Sequence, residues 1–159
     1  KTMVENISLA LSTADPAHMA GYGERAKTLS DRLAALDRDI RSGLVGVSDR
    51  RFVAFHDAFG YFADRYGLQT VAVIETSPGK EPSPRDVARI VSLIRGSRVT
   101  ALFTEPQFSP ALVQAIAAET GLNTYALDPL ETGPFTADGY FDGMRANLAA
   151  LRLAFGIRP

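Results

Sequence analysis

One imidazole and a set of carboxylates stand where this chain could do chemistry. His56 ends an apolar run, Phe52–Phe55, and opens an amphipathic stretch that reaches Tyr66. Glu75 and Glu81 follow a second apolar run, Glu105 a third and Asp128 a fourth. A neutral imidazole nitrogen and carboxylate oxygens suit a borderline divalent cation such as Zn²⁺ or Mn²⁺. The same groups also serve general acid–base catalysis. Pro106 and Pro129 bias Glu105 and Asp128 to extended backbone and stiffen that rim. Plainer roles compete. Asp57 is a natural N-cap for the helix that follows. Asp128 before a proline is a natural turn residue. Glu81 and Glu105 read as solvated loop carboxylates, or as partners tying loops to backbone N–H groups. His18, just past a helix start, reads as surface.

The elements that must position these groups follow from periodicity. Residues 1–14 carry Met3, Val4, Ile7, Leu9, Ala10 and Leu11 at helical spacing. Asp15-Pro16 breaks that pattern as N-cap and first helical position, and a second helix runs to about Arg41, with Gly43 as its C-terminal cap. Beyond Phe52 the texture alternates. Strands are expected at Phe52–Phe55, Thr70–Ile74, Val99–Phe103 and Asn123–Leu127. Helices are expected at Asp57–Tyr66, Ser83–Arg95, Ser109–Thr120 and Asp138–Phe155, with glycines 67, 96, 121 and 156 closing them. Ser83-Pro84 and Ser109-Pro110 look like paired caps and first positions. Strands alternating with helices of about ten residues or more imply βαβ units and a parallel sheet. Continuous apolar strands imply a sheet covered on both faces. The expected fold is therefore α/β: a three-layer lobe, a parallel four-stranded sheet flanked by helices, plus an N-terminal helical segment. In such a sheet, ligands sit outside the carboxyl ends of the strands, and that is the rim on which His56 lies.

Composition narrows the function classes. The chain has 159 residues, 46% hydrophobic and 22% charged, with a net charge of -1. This is ordinary for one globular domain and gives no electrostatic case for a nucleic-acid partner. The lack of cysteine excludes disulfides, thiolate catalysis and Cys-type zinc sites. No apolar run approaches the roughly 18 residues of a membrane helix. No G-x-S-x-G elbow, P-loop or G-x-G-x-x-G follows a strand, which argues against a hydrolase or nucleotide enzyme on this fold.

Four motifs occur in order: His56-Asp-Ala-Phe-Gly-Tyr-Phe62, Ser77-Pro-Gly-Lys-Glu-Pro-Ser-Pro84, Phe103-Thr-Glu-Pro-Gln-Phe108 and Leu127-Asp-Pro-Leu130. Together they resemble the C-terminal half of zinc-binding proteins of the ZnuA-like group, the solute-binding components of metal-uptake ABC transporters. The resemblance covers essentially the whole chain. It implies a metal held in a cleft between two α/β lobes joined by a long helix. It also implies His56 and Asp128 as metal ligands, with Tyr61, Glu81 and Glu105 as candidates to support them from behind. Manganese-type relatives tend to have Glu where this chain has His56, so the resemblance points to zinc.

The departures from that pattern shape the rest of the expectation. The two histidines that the family's N-terminal lobe supplies have no counterpart, and Glu131 stands where relatives often have Gly. Residues 1–14 resemble the end of the linking helix, and residues 15–159 the C-terminal lobe, with the N-terminal lobe absent. The resemblance thus implies half of a periplasmic or lipid-anchored protein that captures zinc and delivers it to a membrane permease, without enzymatic activity. The fragment alone is expected to bind zinc weakly or not at all. The missing lobe, the permease and a homodimer through the exposed cleft face are its expected partners. Competing readings are a manganese-binding relative and a permease-docking module that uses no metal.

Overall fold

The computed structural model describes residues 1–75, 82–97, 99–108, 110–133 and 135–157. The chain divides into two compact units, residues 1–42 and 43–159.

The first unit is helical. α1 spans Thr2–Ala14 and buries none of its residues. Its expected apolar stripe is exposed, with Met3, Ile7, Leu9 and Leu11 all facing outward. A short 3₁₀ turn, Pro16–His18, leads into α2, Met19–Gly43. Asp15 precedes the turn as expected, yet its side chain caps no backbone N–H. Its carboxylate is taken by His18 Nδ1 at 2.7 Å and by the Tyr22 hydroxyl, which donates at 2.9 Å. Gly43 is the last residue of α2, and the left-handed turn falls at Gly46.

The second unit has the expected α/β fold. β1 is Arg51–Ala54, β2 Gln69–Val73, β3 Ala101–Thr104 and β4 Asn123–Ala126. All pairings are parallel, and the sheet order is β2-β1-β3-β4. The intervening helices are α3 Gly60–Tyr66, α4 Pro84–Gly96, α5 Ala111–Thr120 and α6 Gly139–Ala154. Side chains alternate across each strand, so one face of the sheet sends Val53, Phe55 and Leu102 into a core shared with Ile90, Val91 and Ile94 of α4 and Val113 and Ile116 of α5. Phe52 and Phe103 point the other way and meet edge-on at 5.5 Å between ring centroids. α6 packs along β4.

Local chemistry explains most boundaries. Gly67 and Gly121 close α3 and α5 in the left-handed region, at φ 66° and 72°. Ser83 caps α4 through a reciprocal box with Asp86, followed by Pro84 at the first position. Two helix starts differ from expectation. The first helix of the lobe starts at Gly60 and not at Asp57, and Phe59 occupies its N-cap position. Residues 57 and 58 form a turn, in which the Ala58 N–H donates to the His56 carbonyl at 3.0 Å. Ser109 lies outside the described residues, and Pro110 stands at the N-cap of α5 and not at its first helical position, so α5 begins at Ala111. Among the described residues, no helix is long and apolar enough to cross a membrane.

Replacing the α4 cap tests this account of the fold. Ser83→Ala removes the acceptor for the Asp86 N–H, and chemical denaturation should show a loss of about 1 kcal/mol with an unchanged denaturant slope.

Candidate metal site

β1 is followed in sequence by a strand that pairs on one side of it and then by one that pairs on the other. The gap between β1 and β3 is therefore the point where the chain reverses its direction of travel across the sheet, the usual ligand crevice of such sheets. His56 leaves the carboxyl end of β1 and Glu105 that of β3. The two meet across this gap.

Glu105 is 2% exposed, and it receives three hydrogen bonds. Its Oε1 accepts the His56 backbone N–H at 3.0 Å and pairs with His56 Nδ1 at 2.6 Å. Its Oε2 accepts from the Gln107 side-chain amide at 3.0 Å. Burial pushes the Glu105 carboxyl above the usual carboxylate range, and the His56 ring and backbone N–H pull it back. An acceptor that already takes an N–H from the same residue's backbone places the ring proton on Nδ1. That leaves Nε2 as a free electron pair turned away from the core. Phe108 meets the ring edge-on at 5.7 Å and stacks on Phe55 at 4.5 Å, walling the imidazole from the inside.

Asp128 comes from the end of β4 and is held by a different element. Asn147 of α6, itself buried, accepts the Asp128 N–H at 2.8 Å and donates to the Asp128 carbonyl at 2.6 Å. The Asp128 carboxylate then turns inward on its own loop, and its Oδ1 accepts the Leu130 N–H at 2.8 Å. This Asx turn leaves Leu130 at φ 62°, a left-handed conformation that a leucine rarely adopts. Leu130 lies over Gly143 of α6, where a Cβ would overlap its side chain. Beyond it, Glu131 Oε1 stands 3.9 Å from His56 Nε2. Asp128, Leu130 and Glu131 line an open hollow of about 440 Å³ with Phe135, Tyr140 and Gly143.

The residues singled out from the sequence fall into three groups. His56 and Glu105 are in direct contact, and Asp128 lies on the loop that carries Glu131 up to His56. Tyr61 projects into solvent from α3 at 96% exposure. Glu81 lies outside the described residues. The expectation of Glu105 as a solvated loop carboxylate is overturned; the alternative, a carboxylate gripping loop N–H groups, is what the structure contains. Asn147 was missed. It sits mid-helix, 19 residues from its partner, and only the apolar surroundings of a lone amide in α6 hinted at it. One imidazole nitrogen and carboxylate oxygens fit a divalent cation, although among the described residues no three such side chains already converge as a cage.

Comparison with known proteins gives the family. The family model for ZnuA, the periplasmic component A of a zinc-uptake complex, matches residues 1–154. The chain belongs to the ZnuA family. It is 37% identical over 130 residues to the high-affinity zinc uptake system protein ZnuA of Brucella abortus, covering 82% of this chain and 39% of that protein. It is 32% identical over 156 residues to the zinc-binding protein AdcA of Streptococcus pyogenes, covering 96% of this chain and 30% of that one. The solute-binding protein FpvC of Pseudomonas aeruginosa, solved in complex with Mn²⁺, superposes with a TM-score of 0.85 at 29% identity, over 96% of this chain and 56% of its own. The chain thus spans less than two-fifths of the curated relatives it matches here.

The Asn147 clamp is testable. Asn147→Ala leaves a backbone N–H and C=O of Asp128 without their partner, and thermal or denaturant unfolding should show a loss of about 1–3 kcal/mol. Gly143→Ala should disturb the same turn by pushing on Leu130, seen as chemical-shift changes at residues 128–132.

Proposed function

We propose that this chain is the metal-capturing C-terminal lobe of a zinc-uptake solute-binding protein, with His56 Nε2 and the Asp128 carboxylate as ligands to the cargo ion. The observation that carries the reading is the 2.6 Å contact between Glu105 and His56 Nδ1, which fixes the ring so that Nε2 faces the rim. A histidine whose only task is packing does not require a buried carboxylate behind it. Zinc as cargo is supported by the imidazole–carboxylate pairing and by the names of the Brucella and Streptococcus relatives.

The remaining parts of the reading follow from the family. We read the protein as a binding component and not an enzyme, working outside the cytoplasmic membrane and passing its ion to an ABC permease. The family description supports the periplasmic placement. Residues 1–14 are read as the end of a helix arriving from a second lobe, and the exposed apolar stripe of α1 supports that reading. Two ligands make a weak site, so tight binding requires ligands from that other lobe. The exposed cleft face, left uncovered without the other lobe, is where two isolated copies of this chain would pair. A manganese cargo is the second reading, favoured by the Mn²⁺ complex of FpvC.

The test is metal binding by the full-length gene product. His56→Ala and Asp128→Ala should each weaken zinc at least tenfold in competition with a chromophoric chelator, and manganese should bind more weakly than zinc to the wild type. Wild-type zinc affinity in both variants would overturn the assignment. The chain alone should bind zinc far more weakly than the full-length protein does, and nanomolar affinity in calorimetry of the chain would refute the split site.

A further inference from the structure

The turn that follows β3 carries one polar side chain with no part yet in the site. We propose that Gln107 is a positioning residue for metal binding: its amide holds the second oxygen of Glu105, so that the first stays aimed at His56. The proposal rests on the site reading above and adds a residue that touches neither the ion nor a ligand.

Glu105, Pro106, Gln107 and Phe108 form a β-turn, closed by the Phe108 N–H, which donates to the Glu105 carbonyl at 3.2 Å. Pro106 takes the second position, which its fixed φ favours. This one turn surrounds the imidazole from behind. The Glu105 side chain points inward and is wholly shielded from solvent. Phe108 meets the ring edge-on. Gln107 lies at the surface and folds back over the carboxylate, its Nε2 donating to Oε2 at 3.0 Å. An ionised carboxylate only accepts, so the amide NH₂ and not the amide oxygen faces it.

The two oxygens of Glu105 have separate tasks, and this gives the Gln107 contact its weight. Oε1 carries both His56 donors, the backbone N–H at 3.0 Å and Nδ1 at 2.6 Å. Both bonds need the carboxylate plane at one angle. The last torsion of a glutamate is broad and sets that angle only loosely. A donor on Oε2 fixes it. Without the amide, an oxygen shielded from water loses a partner. The carboxylate then turns to share the His56 donors between its oxygens, or takes in water on the side that Gln107 covers. Either change loosens the ring. A metal-bound imidazole relies on the acceptor behind it for tautomer and orientation, and losing that support costs about ten- to a hundredfold in affinity. Gln107 acts through the acceptor, which places its effect at the lower end of that range.

The experiment uses the full-length gene product with three substitutions. Gln107→Leu removes the donor at similar size, Gln107→Glu sets a second acceptor against Oε2, and Gln107→Lys restores a donor. Zinc affinity is measured by chelator competition. The His56 tautomer is read in the metal-free protein from its ring ¹⁵N chemical shifts, at a pH where the ring is neutral, with His56→Ala assigning the signals. Wild type and Gln107→Lys should carry the proton on Nδ1 and bind zinc alike. Gln107→Leu should show a mixed tautomer and zinc weakened about tenfold, and Gln107→Glu a larger loss. An unchanged tautomer in Gln107→Leu, even with a lower melting temperature, would show a merely structural contact and overturn the proposal. A mixed tautomer in all three variants would trace the change to the turn and not to the donor, and overturn it too. A mixed tautomer with wild-type zinc affinity, while His56→Ala still disables binding, would overturn Gln107 and leave the site standing. Wild-type binding by His56→Ala would remove the site itself, and the inference with it.

Discussion

The interaction on which the rest of this site depends is the grip of a buried carboxylate, Glu105, on both the backbone and the ring of His56. Burying a carboxylate is unfavourable unless donors replace water, and here three N–H groups do so. The arrangement has two consequences. It staples the carboxyl ends of β1 and β3 together where the sheet changes direction, so the crevice has a fixed floor. It also fixes the imidazole tautomer, because the proton must sit on the nitrogen that faces the acceptor. A single contact therefore sets the shape and the chemistry of the rim.

The second arm is constrained by different means. Asp128 is held through its backbone, by a buried amide on α6, and its side chain is spent partly on turning its own loop. The carboxylate that shapes the turn is the one the site reading assigns to the ion. One oxygen accepts from Leu130, which leaves the other to the open hollow. α6 contributes twice to this arm without donating a ligand: Asn147 fixes residue 128, and Gly143 gives Leu130 room. The rim has a stiff imidazole side and an oxygen side that hangs on a turn.

Much of this was legible in the sequence because it was written in local signals. Ser83-Pro84, Gly67 and Gly121 mark their boundaries through capping and left-handed geometry, which short stretches encode by themselves. The parallel sheet follows from the alternation of apolar runs with helical ones. Asp57 misled for a physical reason. Aspartate before a helix is the strongest cap signal available, yet the chain spends residues 57–59 on a turn before Gly60 begins α3. Tyr61 misled because sequence proximity to His56 does not survive the start of a helix, which turned it to solvent. The burial of Glu105 and the reach of Asn147 were illegible for a common reason. Each is decided by a partner 49 or 19 residues away, and no local pattern reports such a pairing.

Under the proposed function the protein must hold its ion tightly enough to capture it and loosely enough to surrender it, and the division of stiffness across this rim is compatible with both demands. A ligand fixed by a buried network binds without an ordering cost, which favours capture. A ligand carried on a turn under backbone strain can withdraw without breaking the core, which favours release. The left-handed Leu130 is the strained residue of that turn, two positions from Asp128, and it is not part of the hydrophobic core beneath β1 and β3. Under the proposed ligand set, the imidazole would set where the ion goes and the carboxylate loop how long it stays.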